Sequence, residues 1–357
     1  MTSRPALLLG PEDLEAIIPM QGAVEAVHSA HVDWSHRRDL NEICHRVHTP
    51  TSVRVCVHQG AVPALAAAGA LVHCERLDET EDRQSFTTSD PPVSVVFDAV
   101  DGHLRGILVG EPTCTELPSV RGVAGLRTAA TSALGTVALA RSDAVSVAMI
   151  GSGKQAALHL TSLHGMRRLH RVSVFSRNPQ RRERFAAMMA QLLGTVVTPA
   201  PTAAAAVAGS DIVMTATNSM RPVIEGTLLE PGQHVTSIVG GGQGFGPPGP
   251  RRSELDPATD ERAAVIGMAS VAQARAGFSP VAGRGATEGR TATETYPHWH
   301  KCVELYDLLT GRHPARTDDT EITVFKNNAG QGIADVALAG ALLDRASAKG
   351  LGKPLPL

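Results

Sequence analysis

The chain has 357 residues, of which 43% are hydrophobic, 19% charged and 3% aromatic. That length fits about two domains with sizeable cores, and the balance excludes a disordered chain. Its 33 basic residues nearly cancel 35 acidic ones, so a formal charge of −2 gives no field to collect nucleic acid or an acidic membrane surface, and the few aromatics offer little base stacking.

Cys44, Cys56, Cys74, Cys114 and Cys302 are odd in number and contain no CxxC pair, which reads as reduced thiols in a cytoplasmic protein. The first apolar run, Ala6 to Leu9, ends at Gly10 and Pro11. It is too short for a signal segment, and no stretch reaches the length of a membrane span.

In chain order, a helix is expected over Pro11 to Trp34, then short strands at Ser52 to His58, Ala70 to Cys74, Val93 to Phe97 and Leu104 to Val109. Asp78 to Pro92, acidic and ending in a Pro pair, reads as an exposed loop. Small residues at helical spacing follow from Arg127 to Arg141, suited to close packing. Strands then alternate with helices: Val145 to Ile150, Arg171 to Ser176, Asp211 to Thr217 and His234 to Val239, separated by helical segments at Lys154 to Leu163, Pro179 to Leu193 and Thr202 to Ala208. Such alternation predicts a doubly wound parallel sheet, making the chain α/β. A last strand from Glu321 to Lys326 and a helix from Ile333 to Lys349 are expected to return to the first domain. The resulting division is 1–134 plus 319–357 for an α+β domain and 135–318 for a Rossmann-type domain.

Gly151-Ser152-Gly153-Lys154-Gln155-Ala156 follows a strand and opens a helix, the context in which a GxGxxA run signifies dinucleotide binding. Gly151 allows the turn, Gly153 admits a pyrophosphate, Ala156 lets helix and sheet close up, and the helix N-terminus attracts phosphate. An NAD site wants a carboxylate about 20 residues on. Here the strand ends Phe175-Ser176-Arg177-Asn178, so Ser176 and Arg177 favour NADP(H), with NAD(H) also admissible. The plainer reading of Arg177 is a solvated arginine in a basic run.

Leu126 to Ala133 (LRTAATSA), GSGKQA, FSRNP, TATNS and VFKNNAGQGIADVA occur in that order, and together they resemble the ornithine cyclodeaminase and mu-crystallin family over roughly Leu104 to Gly352. The resemblance implies a homodimer whose N- and C-terminal segments form a substrate and dimerisation domain around a central Rossmann domain. It also implies nicotinamide chemistry on amino or imino acids. Arg127 matches the arginine that grips a substrate carboxylate, and Arg46 stands for the second, or is a surface arginine. The family's lysine falls at Leu71 and its acid/base aspartate in the turn Gly240-Gly241-Gly242-Gln243, at about Gly242. Both proton-transfer groups are therefore absent, and Gln243 can only orient substrate.

Period-two alternation puts Leu71, His73 and Glu75 on one strand face, so His73 is either an acid or base in place of the missing groups or a partly exposed histidine with no catalytic role, with Glu75 and Lys326 as further catalytic candidates. Cofactor contacts are expected from Thr128, Gly151 to Gln155, Ser176 to Asn178, Thr215, Ala216, Thr217, Val239 and Lys326. Asn327 is expected near the nicotinamide, and Asp335 caps or orients Lys326 and Asn327, or is polar packing. His298 to Cys302 lacks a recognised ligand spacing, so no metal is expected, and nothing pairs Cys302 with a base. The function expected is an NADP(H)-dependent oxidoreductase on the C–N bond of an amino or imino acid. The alternatives are a cyclodeaminase-type ammonia lyase and a non-catalytic, crystallin-like NADP(H)-binding protein.

Overall fold

A computed structural model describes residues 5–79, 84–122, 124–238, 253–276, 296–328 and 331–356. The chain divides into two compact units, Met1–Asp78 with Phe86–Thr131 and Gly330–Leu357, and Glu79–Ser85 with Ser132–Ala329.

The first unit opens with β1 (Leu7–Leu9) and α1 (Met20–His36). The helix starts later than its pattern suggests because Ala16 has φ 49° and Pro19 stands at the N-cap, both incompatible with helix before them. Strands β2 (His45–His48), β3 (Val53–Val62), β4 (Ala67–Glu79), β5 (Gln84–Thr87), β6 (Val93–Phe97) and β7 (Leu104–Val109) follow. Within the stretch expected as loop, Gln84–Thr87 instead pairs with β4, which itself runs on to Glu79. Helix α2 (Gly125–Leu139) leads out of this unit.

In the second unit, β8 (Ser146–Ile150), α3 (Lys154–Met166), β9 (Arg171–Phe175), α4 (Pro179–Leu193), β10 (Val196–Pro199), α5 (Ala203–Val207), β11 (Ile212–Thr215) and β12 (His234–Ser237) alternate. They are followed by α6 (Pro257–Arg262), β13 (Ala263–Met268), α7 (Val271–Ala276), β14 (Cys302–Glu304), α8 (Leu305–Leu309) and β15 (Ile322–Lys326). The sheet order is β10-β9-β8-β11-β12-β15-β13-β14, with every neighbouring pair parallel. Here β15 departs from the expected division: it lies between β12 and β13, not with the first unit. The reason is burial, since all five of its residues are buried, and a strand covered on both faces belongs inside a parallel sheet layered on both sides.

Helix α9 (Gly332–Lys349) and β16 (Lys353–Pro354) return to the first unit, whose sheet runs β16-β1-β7-β6-β4-β3-β2 with β5 on β4. Helix α9 crosses β3 at backbone contact. A Cβ on Gly60 would lie 2.5 Å from the Ile333 nitrogen, and one on Gly332 2.0 Å from the Gln59 oxygen. Only glycine permits that approach, and it brings the first turn of α9 down onto the face of β3.

Candidate active site

At the carboxyl end of the parallel sheet, the order reverses between β8 and β11, which is where doubly wound sheets bind ligands. Gly151 follows β8 with φ 132°, and a Cβ there would sit 2.3 Å from the Ala216 carbonyl oxygen. Gly153, the N-cap of α3, has no side-chain cap, and a Cβ there would meet nothing within 4 Å. A closed turn thus faces an open space beneath the free N–H groups of α3, as a pyrophosphate requires. These residues fit a dinucleotide.

Beside that turn, Ser152 Oγ donates to Ser176 Oγ at 2.9 Å, joining the glycine turn to the end of β9. Arg182 Nη1 holds the Ser176 carbonyl at 3.0 Å. Arg177 is exposed and makes no hydrogen bond or ion pair with another described residue. Asn178 uses its Oδ1 to accept from Arg181 N at 2.8 Å, capping α4. Lys154 is exposed, whereas the buried Gln155 Oε1 has no partner among the described residues.

Several expected cofactor contacts have other employment. Thr215 and Thr217 donate their single hydroxyl protons to the fully buried Glu254, at 2.9 and 2.8 Å, and Ser237 does the same at 2.9 Å. Those hydroxyls are therefore not donors to a ligand. Thr128 Oγ1 donates back to the Ala124 carbonyl at 2.8 Å. Val239, Gly240, Gly242 and Gln243 lie outside the described residues.

Lys326, expected to be catalytic, is buried with Nζ 2.5 Å from Asp260 Oδ2 and 3.3 Å from the Tyr296 hydroxyl. Tyr296 in turn donates to Asp260 Oδ2 at 2.8 Å. Burial, reinforced by Asp260, raises the Tyr296 hydroxyl well above its usual range. Sequence order gave no sign of Asp260, which arrives from α6 beside the end of β15. Asn327 Nδ2 donates to Ser132 Oγ at 2.9 Å, and Ser132 Oγ lies 2.9 Å from His159 Nε2.

Asp335, expected to cap or orient Lys326 and Asn327, has its hydrogen-bond partners elsewhere. In the first unit, Asp335 Oδ1 accepts from Arg127 Nε at 2.8 Å, and Oδ2 accepts from Arg127 Nη2 at 3.3 Å and from His58 Nδ1 at 2.8 Å. A carboxylate can only accept, so the Nδ1 proton is on His58. Burial alone would raise the Asp335 carboxyl, but the Arg127 charge and the His58 hydrogen bond outweigh it and hold the group at about 2. Arg127 Nη1 has no partner among the described residues.

The β3–β4 register places His58 opposite Leu71, Cys56 opposite His73 and Arg54 opposite Glu75. Leu71, His73 and Glu75 do share one face, and it is the face α9 covers. The His58 and His73 rings meet edge to face with centroids 5.4 Å apart. Burial first, then the neighbouring His58, hold His73 down at about 4, so it is neutral near pH 7. Burial also opposes charge on His58, but Asp335 and the nearby Cys44 thiol overcome it and His58 titrates above its usual value. Despite Cys44, no atom among the described residues stands at hydrogen-bonding geometry to the buried His58 Nε2, and His73 Nδ1 is likewise without a partner.

Glu75 Oε1 is taken by Arg54, at 2.7 Å from Nε and 2.5 Å from Nη2. That ion pair removes Glu75 as a free proton carrier. Cys56, His73 and Glu75 each offer a donor atom within 4.8 Å of the others, although a cation there would enter against the buried Arg54. Of Arg46 only the backbone is described, opposite Cys56 in the β2–β3 ladder. The signal that points to His58 is visible in VRVCVH, where Arg54, Cys56 and His58 alternate with valines: one strand face is polar and, in the structure, buried.

Glycine turn, strand order and switch point together define a Rossmann-fold protein of the dinucleotide-binding class. The chain belongs to the ornithine cyclodeaminase/mu-crystallin family, whose model matches residues 110–350. It is 32% identical over 227 residues to a Rhizobium meliloti protein named as a dehydrogenase, spanning 64% of this chain and 64% of that relative. It is also 32% identical over 251 residues to the Δ1-pyrroline-2-carboxylate reductase of Paracoccus denitrificans, covering 66% and 67% of the two chains. The structure of Thermococcus litoralis Δ1-pyrroline-2-carboxylate reductase with NADH and L-proline superposes with TM-score 0.75 at 22% identity, over 98% of this chain and 100% of the other. At that identity the likeness concerns the fold. Among the described residues, no helix is long and apolar enough to cross a membrane.

Proposed function

We propose that the protein is an NADP(H)-dependent oxidoreductase that reduces the C=N bond of a small imino acid in the cytoplasm. The observation that carries this reading is the buried Arg127–Asp335–His58 group, which combines a guanidinium with a free Nη1 and an imidazole with an unpartnered nitrogen. A dinucleotide held by its pyrophosphate at the glycine turn would supply the hydride from its reduced nicotinamide. Gly151, Gly153 and the start of α3 hold the pyrophosphate, Ser176 and Arg177 select a 2′-phosphate, and Arg127 Nη1 anchors the substrate carboxylate. The proton comes from an imidazole of this buried group.

Similarity to a pyrroline-carboxylate reductase supports a cyclic imine with an adjacent carboxylate. Cyclodeamination would need a second proton carrier, and the position expected to hold it is the apolar, buried Leu71. The other face of the first unit's sheet carries half-exposed Val57, Val93 and Val95 with exposed Val72 and Phe97. An apolar sheet face of this kind supports a homodimer.

The test is NADPH consumption with Δ1-pyrroline-2-carboxylate and with a panel of keto acids plus amines. A falling absorbance with at least one imine is expected. Ammonia release from a diamino acid without that fall would replace this reading with the lyase, and neither signal would leave a cofactor-binding protein.

A further inference from the structure

We infer that His58 is the catalytic proton donor, with Asp335 as its positioning residue, and that it does from β3 the work a lysine on β4 would do at Leu71. This rests on the reductase reading above.

The placement follows from register. His58 is the direct cross-strand partner of Leu71, and side chains so paired leave Cβ atoms about 5 Å apart on the same face. A proton carrier on either strand thus serves nearly the same spot. Leu71 is apolar, and the proton carrier has crossed the ladder.

Three further observations separate His58 from its neighbours. Its Nδ1 is fixed on Asp335 at 2.8 Å, so the ring cannot turn away and Nε2 is the free end. That Nε2 is buried without a partner among the described residues, an arrangement that costs free energy unless a ligand completes it. His73, against the ring at 5.4 Å, has no carboxylate hydrogen-bonded to it and is held neutral. The charged and titrating groups around His58 are Asp335 of α9, Arg127 of α2, Arg54 and Cys56 of β3, His73 and Glu75 of β4, and Cys44 before β2. Arg127 and Arg54 are matched by Asp335 and Glu75, which leaves His58, with its Nε2 unpartnered, as the group placed to give up a proton.

In the step, a bound reduced nicotinamide would supply a hydride to the imine carbon, and the C=N π pair would move to nitrogen. Nitrogen forms its new bond to the proton on His58 Nε2, whose N–H bond breaks, leaving neutral imidazole with Nδ1–H still on Asp335. Solvent then returns one proton to Nε2.

The experiment combines imidazole NMR titration of the full chain with single-turnover reduction of Δ1-pyrroline-2-carboxylate by bound NADPH. The His58 ring is expected to titrate above the ordinary histidine value of about 6.5, to fall below it in Asp335→Asn, and to match the alkaline limb of the wild-type rate profile. His58→Gln should keep NADPH affinity, slow reduction by about 10²-fold or more and lose that limb, with partial rescue by added imidazole. His73→Gln should retain the limb. Wild-type turnover with an unchanged rate and limb in His58→Gln overturns the inference alone. No turnover by wild type overturns the reductase reading and this step with it. Should His58→Gln not fold, a mismatch between the NMR titration and the wild-type limb is the overturning result.

Discussion

Replacing Asp335 by Asn tests the charge logic of the first unit most directly. The wild-type carboxylate faces two donors of Arg127 and one of His58, and all three side chains are almost wholly buried. The variant removes the negative charge but leaves the shape. His58 can respond by shedding its proton, whereas Arg127 cannot, because a guanidinium does not deprotonate in proteins. The cost therefore falls on Arg127, left as an uncompensated buried cation, for which about 3–5 kcal/mol is the usual loss. Against a total stability of roughly 5–15 kcal/mol, the variant should still fold with a much lower urea midpoint at pH 7.

Arg127→Met should cost less, since His58 can still charge against Asp335. The double variant should lose less than the two singles added, because the isolated charge is then gone. Asp335 has a depressed pKa, so its contribution is full above about pH 4 and is lost as pH falls through about 2, and the gap between wild type and Asp335→Asn should narrow on that side. Urea unfolding followed by circular dichroism gives all four corners of the cycle. A loss under about 1 kcal/mol for Asp335→Asn, or strict additivity in the double variant, would refute the reasoning.

Other consequences can be checked separately. Arg177→Ala should weaken NADPH binding by about 1.5–3 kcal/mol while sparing NADH, and equal loss for both cofactors in a fluorescence titration would show that Arg177 does not read a 2′-phosphate. His31, His159 and His234 are buried and held neutral, chiefly by burial, with values of about 3, 4 and 3. Their folded-state values lie below the unfolded one, so stability should be full above about pH 6.5 and fall on acidification by about 1.4 kcal/mol per pH unit for each. Thermal midpoints flat from pH 6.5 to 4.5 would contradict this. Sedimentation should give a particle of roughly twice 37.4 kDa, and Val72→Glu with Phe97→Asp should shift it to monomer. A wild-type monomer at micromolar concentration would remove the claim about the sheet face.

Local pattern alone settled much of the second unit. Its strands are short apolar runs between helix formers, and the GSGKQA turn sits between the first strand and helix, so fold class and cofactor turn were both legible. Leu104–Val109, Val93–Phe97 and Pro179–Leu193 form over the same residues that their periodicity marks. Periodicity also placed His73 and Glu75 on one face of their strand.

Tertiary structure decided which polar residues meet, because the deciding contacts are long-range. Asp335 meets His58 across 277 residues and Arg127 across 208, and Lys326 meets Asp260 across 66. None of these pairings has a spacing that one element imposes on another. Whether a histidine is charged depends on what is packed beside it, so His73 and His58, alike in sequence, separate only when α9 lays Asp335 against one of them. The place of β15 was hidden for the same reason, since a buried strand reads alike in either unit and only packing on both faces chooses between them.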